Sequence, residues 1–356
     1  TGTISQRVSL EQLKDRVEVL YSYLSSCELC PRRCRANRTE GETGFCGIGH
    51  EPVVSSCGPH FGEEPPLFGR RGSGTIFFSG CTLKCGSCQN CQISHQGLGR
   101  EISPAELAGL MLRLQERGAA NINLVTASHF APSVAGCVAE ARRQGLSIPV
   151  VWNSSGYERL PTLELLRETV DVYLPDCKNL DTQVSRRLMG APDYPAVAKP
   201  ALIKMAEDKP LVVEEGRIRR GVIVRHLVLP DLLEQSREVL EWFAGNLRNR
   251  ALLSLMFQYT PVRSEGGEHG RKPRPGSQRR VSRREYEEVL TWLEELRIDD
   301  GFVQDPARSD DWLPDFTRRN PFPEGQAVPV WHYETGFAEQ FSPPDSGSPL
   351  PPNRSV

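Results

Sequence analysis

From Thr75 onward, short apolar runs alternate with amphipathic stretches, and this alternation constrains the fold more than any other feature of the chain. The run Thr75–Ser79 is followed by Ser103-Pro104-Ala105-Glu106, a capping box with proline at the first helical position. The stripe Leu107, Leu110, Met111 and Leu114 then marks one helix face. The pattern predicts further strands at 121–126, 148–152, 170–174, 222–229 and 252–257. Helices are expected at 132–143, 160–168, 181–189, 195–207 and 231–246, and a last one behind the capping box that opens at Ser282. Six strands with helices between them imply a parallel sheet with right-handed crossovers. Periodicity alone does not decide between a barrel and an open doubly wound sheet.

Segments outside this core differ in composition. Residues 9–26 read as a helix with the stripe Leu10, Leu13, Val17, Leu20 and Leu24. A stretch rich in Cys, Arg and Gly follows and is too poor in apolar residues for a core of its own. We therefore divide the chain into an amino-terminal helix and Cys-rich metal-binding segment (1–70), a core (71–305) and a carboxy-terminal tail (306–356). Within the tail, Trp312 to Phe337 is the expected lid, and Ser342–Val356 is expected to be disordered.

The net charge of −2 gives no field that would favour nucleic acid or an anionic membrane surface. No apolar run approaches the roughly 20 residues of a membrane span. The basic run Arg271-Lys272-Pro273-Arg274 with Arg279, Arg280, Arg283 and Arg284 lacks interleaved aromatics, so a solvated loop is expected rather than an RNA contact. No amino-terminal targeting pattern is apparent, and a cytoplasmic location is expected.

The chain has 11 cysteines, and they are clustered: five in Cys27–Cys57 and four in Cys81–Cys91. In a reducing compartment clustered thiols point to metal or redox chemistry rather than disulfides. Cys81-x3-Cys85-x2-Cys88 follows the first strand of the core, and Cys91 lies another three residues on. Three thiolates on one loop can hold three irons of a cubane and leave the fourth open. Four would instead close a zinc site or an electron-transfer cluster. Placement at a strand's carboxyl end favours the open, catalytic arrangement, because chemistry in α/β sheets and barrels gathers there.

The stretch "SGTIFFSGCTLKCGSCQNCQIS" resembles the radical S-adenosylmethionine (SAM) superfamily, in the branch homologous to the pyruvate formate-lyase activating enzyme. "NINLVTASHF" (121–130), "IPVVWNSSGYE" (148–158), "VDVYLPDCK" (170–178), "VRHLVLP" (224–230) and "SLMFQY" (254–259) match that branch in order. The resemblance implies a partial (β/α)6 TIM-like barrel with a Cys-rich extension. It implies a 4Fe–4S cluster on Cys81, Cys85 and Cys88, with SAM chelating the fourth iron and yielding a 5′-deoxyadenosyl radical for hydrogen abstraction. An electron donor such as flavodoxin or ferredoxin follows, and a glycyl radical enzyme or another protein substrate as target. Asp176 and Lys178 at the end of strand four are expected near SAM, with Lys178 on its carboxylate. Asn153, Ser154 and Ser155 end strand three as SAM-binding candidates. Of Arg225 and His226, alternation sends one inward, and Arg225 is the cofactor-binding candidate. Gln258 and Tyr259 likewise cannot both face the lumen.

Two positions depart from the family pattern. Ser87 stands where an aromatic residue usually precedes the third cysteine. Thr126-Ala127-Ser128-His129 replaces the Gly-Gly-Glu strand end that would bind SAM's ammonium. The leader motif Cys27-x2-Cys30-x3-Cys34-x11-Cys46 suits zinc or a second cluster, with Cys57 as an alternative ligand. The leader and the Cys81–Cys88 loop are expected to be structurally independent. The rival function is an electron carrier or metal scaffold that uses Cys91 as a fourth ligand.

Overall fold

The computed structural model describes residues 10–262, 279–306, 313–323, 325–338 and 353–355. Helix α1 (Leu10–Ser22) opens the described chain. Strand β1 (Val53–His60) and the short helix α2 (Pro65–Phe68) lead into β2 (Ser73–Phe78). The cysteine loop, the one-turn helix α3 (Cys91–Ser94) and the short strand β3 (Arg100–Glu101) follow. Regular alternation then begins: α4 (Pro104–Glu116), β4 (Ile122–Val125), α5 (Ala131–Arg143), β5 (Val150–Ser154), α6 (Leu160–Leu166) and β6 (Val172–Pro175). Two consecutive helices, α7 (Thr182–Met189) and α8 (Tyr194–Asp208), precede the hairpin of β7 (Val212–Glu214) and β8 (Arg217–Leu227). Helix α9 (Leu233–Asn246), β9 (Leu252–Met256), α10 (Arg283–Glu295) and β10 (Gly301–Gln304) complete the core. The tail adds β11 (Trp331–His332), β12 (Gly336–Phe337) and β13 (Asn353–Ser355).

Strands β2, β4, β5, β6, β8, β9 and β10 are parallel neighbours in that order. The order never reverses, as it would in a doubly wound sheet, so the strands form the open arc of a partial barrel. One more parallel strand joins than the sequence pattern predicts: β10, which pairs with β9. At the other edge β1 runs antiparallel to β2, so the sheet recruits residues 53–60 from the amino-terminal segment. Both capping boxes form, at Ser103 with Glu106 and at Ser282 with Glu285.

One core cluster lies between the strands and the helices outside them, with Leu107, Leu110, Met111, Trp152 and Phe243 among its members. The same cluster takes in Leu20, Leu24, Leu29, Cys46 and Ile48. The leader thus lacks a separate core and shares the barrel's.

At the end of the tail Asn353–Ser355 pair with β10, while 342–352 and 356 lie outside the described residues. Of the basic run, Arg271, Lys272 and Arg274 also lie outside them. Arg279 pairs with Asp231 and Glu285, and Arg283 with Glu287. Among the described residues no helix is long and apolar enough to cross a membrane.

Leu24, 1% exposed, ties the leader to the shared core. Leu24→Ala should cost about 2–5 kcal/mol by cavity formation, measured as a lowered denaturation midpoint.

Candidate metal centre and cofactor cavity

Parallel strands deliver their carboxyl ends to one rim, and here that rim surrounds a cavity of about 340 Å3. Cys81, Cys85 and Cys88 line it. Cys91 does not: it begins α3 and is absent from the lining. The Leu83 N–H donates to Cys81 Sγ at 3.3 Å, and the Ser94 hydroxyl donates to Cys88 Sγ at 3.2 Å. Burial pushes the Cys85 thiol up to about 12 and the Cys88 thiol up to about 11, with Lys178 opposing both shifts. Iron would bind these groups as thiolates and release their protons.

Among the described residues, no three His, Cys, Asp or Glu side chains stand as a ready-made site for a metal ion. Three thiols on one loop, all beside the cavity, match the donor set of a cubane that leaves one iron open to a further ligand.

The other candidate residues meet at the same rim. Asn153, Ser155, Asp176, Lys178 and Arg225 all line the cavity. Lys178 Nζ lies 2.7 Å from Asp176 Oδ2. Burial disfavours its ammonium, but the Asp176 carboxylate outweighs this and raises its pKa above the ordinary value. The Tyr194 hydroxyl accepts from the Lys178 N–H at 3.0 Å and lies 2.9 Å from Ser155 O and 3.0 Å from Asp176 O. It fastens the ends of β5 and β6 together. Gly156 is needed there: its φ is +72°, and a Cβ would stand 2.2 Å from Asp176 O.

Alternation resolves the paired positions. Arg225 faces the lumen, where it pairs with Glu63 and Glu64. Although burial opposes it, Arg225 draws the Glu63 carboxyl down to about 2, with help from His60. His226 points outward and is a satisfied core histidine, bonded to Cys177 O at 2.7 Å and Ser236 Oγ at 2.9 Å. Gln258 lines the cavity and Tyr259 does not. Cys137 and Cys177 are buried in the core cluster.

The strand end at Thr126 explains the departure from Gly-Gly-Glu. Thr126 has φ +59°, a left-handed conformation that glycine adopts freely and a β-branched residue rarely does. Thr126 lines the cavity, whereas Ser128 and His129 do not. Ser128 instead donates to the buried Glu158, and His129 Nε2 lies 2.7 Å from Ser79 O, just ahead of Cys81. Glu63, Glu64 and His129 escaped the sequence reading. The acidic pair precedes Pro65-Pro66 in a stretch with no strand or helix pattern, so nothing linked it to a lumen residue far along the chain.

Cys27, Cys30, Cys34 and Cys46 come together in the leader. Cys46 feels the charge of Cys27 and Cys34, and Cys30 that of Cys27 and Cys46. Cys57, the alternative ligand, lies on β1 and is buried in the core. The leader also touches the loop it is expected to be independent of. Arg32 donates to Thr82 O within the Cys81–Cys88 loop. The expected lid is partly described: Trp312 lies outside the described residues, but Pro314, Phe322 and Gln326 form part of the cavity wall.

Comparison with known proteins agrees with this geometry. Residues 69–183 match the family described as a 4Fe-4S single cluster domain. An uncharacterized protein of Methanocaldococcus jannaschii is 32% identical over 292 residues, which cover 80% of this chain and 79% of that protein. The chain belongs to the same family as that protein. A radical SAM methyltransferase from Sphaerobacter thermophilus is similar in structure, with TM-score 0.46 and 15% identity over 67% of this chain and 68% of that one. SuiB of Streptococcus suis, solved bound to S-adenosylmethionine, is similar with TM-score 0.44 and 15% identity over 63% of this chain. The match spans 48% of SuiB.

His226 yields a pH prediction. Burial lowers its pKa from 6.5 to about 4. Unfolded chains take up the proton first, so its contribution is complete above about pH 6.5 and is lost as pH falls toward 4. Its share of the stability slope should approach about 1.4 kcal/mol per pH unit in that window. Urea titrations of His226→Gln should show a shallower decline between those pH values than the parent chain.

Proposed function

We propose that the protein is a radical SAM enzyme similar to the activating enzymes of glycyl radical enzymes. When bound, a 4Fe–4S cluster on Cys81, Cys85 and Cys88 would supply the electron that cleaves SAM to methionine and a 5′-deoxyadenosyl radical for hydrogen abstraction. One observation carries the reading: three cysteines line a strand-end cavity with Lys178, Asp176, Asn153 and Ser155, while Cys91 stays out of it. That arrangement leaves room for a small molecule and supplies no fourth thiolate from the lining, which speaks against the electron-carrier alternative.

The chain's own groups have distinct tasks in this reading. Lys178, held by Asp176, offers an ammonium to SAM's carboxylate. Asn153 and Ser155 offer an amide and a hydroxyl to its polar groups. Arg225, braced by Glu63 and Glu64, presents a fixed guanidinium to the lumen. The apolar wall of Phe77, Phe322, Leu227 and Met256 excludes water from the reaction space. Flavodoxin or ferredoxin is the proposed electron donor, a glycyl radical enzyme or other protein the proposed target, and the cytoplasm the proposed location.

The leader cysteines are proposed to hold zinc or a second cluster. The backbone at Arg32, Ala36 and Ile48, each two residues on from its cysteine, pulls the pKa of Cys30, Cys34 and Cys46 down against the effect of burial. This favours sulfur in its anionic, metal-bound form.

Anaerobic reconstitution with dithionite and SAM should yield 5′-deoxyadenosine and a SAM-dependent change in the reduced-cluster electron paramagnetic resonance (EPR) spectrum. Cys81→Ala, Cys85→Ala and Cys88→Ala should each abolish both, whereas Cys91→Ala should retain the cluster. Cluster loss in Cys91→Ala would favour the carrier. Lys178→Ala should keep the cluster and weaken SAM binding about ten- to hundred-fold, as expected for a lost charge-assisted hydrogen bond of roughly 1.5–3 kcal/mol. Lys204→Ala, on α8 away from the rim, is the control. Metal analysis of aerobically purified protein should find about one zinc per chain. Roughly eight irons after reconstitution, without zinc, would mean a second 4Fe–4S cluster.

A further inference from the structure

The residues between β2 and α3 that carry Cys81, Cys85 and Cys88 belong to no strand or helix. Three sulfurs must nevertheless converge on one object, so something outside the loop has to fix it. Arg32 does this from the leader. Its Nε donates to Thr82 O at 2.9 Å, Nη1 to Gly190 O at 2.6 Å and Nη2 to Met189 O at 3.0 Å. Thr82 immediately follows Cys81, and Met189 and Gly190 close α7. Carbonyls at a helix carboxyl end lack intrahelical partners and carry partial negative charge, which favours a cation there.

Two rings hold the guanidinium in place. Its carbon lies 4.0 Å from the Phe45 ring centroid and 5.5 Å from that of Tyr157. Phe45 precedes Cys46, and Arg32 itself lies between Cys30 and Cys34. The clamp is therefore built from the cysteine-rich leader. A second tie joins the loop to the same helix end, from the Gly86 N–H to Leu188 O at 3.0 Å.

We propose that Arg32 is a positioning residue for the cluster, holding the Cys81–Cys88 loop against the end of α7 so that its three thiols share one geometry. This rests on the reading of Cys81, Cys85 and Cys88 as the ligands. The leader is then a working part of the catalytic centre. Three carbonyls suit a planar fork of N–H donors and do not suit the point charge of an ammonium. Lysine at this position should restore the charge without restoring the clamp.

The test compares anaerobically reconstituted wild type, Arg32→Ala and Arg32→Lys, with Arg237→Ala on α9 as control. After gel filtration, both Arg32 variants should retain several-fold less iron than wild type, and their residual reduced-cluster EPR signal should be broadened or shifted. Their thermal unfolding should remain cooperative, because the carbonyls released lie at a part-exposed site that water can reach. Wild-type iron retention, EPR line shape and midpoint potential in Arg32→Ala would overturn the proposal. Should Arg32→Ala fail to fold, Phe45→Leu, which removes one ring beside the guanidinium, is read by the same three measurements and decides in the same way. A wild type that assembles no SAM-responsive cluster would overturn the ligand assignment and the Arg32 role with it.

Discussion

Parallel hydrogen bonding between sequential strands is the constraint on which the site depends. Each of β2, β4, β5, β6, β8, β9 and β10 starts at one rim of the arc and finishes at the other. Residues far apart in the chain therefore end at one rim: the cysteines after β2, Asn153 on β5, Asp176 after β6, Arg225 on β8 and Gln304 on β10. No local motif could assemble that set. The helices cover the outer face, and the inner face remains for polar side chains around a cavity.

Much of this was legible because it depends on local periodicity. The strands and their helices follow from apolar spacing and from capping boxes at Ser103 and Ser282. That only one of Arg225 and His226, and one of Gln258 and Tyr259, can face the lumen follows from the two-residue repeat of a strand; the structure turns Arg225 and Gln258 inward. What escaped is long-range. Glu63 and Glu64 meet Arg225 across more than 160 residues of sequence. Arg32 meets Met189 and Gly190 across a similar distance. Neither contact has a signature in periodicity or spacing. The leader read as a separate module because its composition is poor in apolar residues. Its few apolar side chains, Leu24, Leu29 and Ile48, are instead spent on the barrel's core.

The two departures from the family pattern receive different answers. Thr126 keeps the left-handed backbone that a glycine would adopt, so the turn at the end of β4 survives the substitution at a cost in strain. Ser128 and His129 turn away from the cavity and serve the surrounding scaffold. His129 does so beside the cluster loop itself, on the carbonyl of Ser79. Ser87 stays in the cavity wall as a small polar residue.

An open arc lacks the hydrogen-bonded seam that fixes the girth of a closed barrel. Here a salt-bridge chord crosses the lumen instead, from Arg225 on β8 to Glu63 and Glu64 between β1 and β2. Its groups are largely shielded from water, so dissolved ions screen it far less than they would a surface pair. Severing one side would leave a buried charge uncompensated, a loss of about 3–5 kcal/mol. The span of the cavity between β8 and the β1–β2 connection is thus tied by electrostatics, a tie that a single charge change would sever without altering any strand.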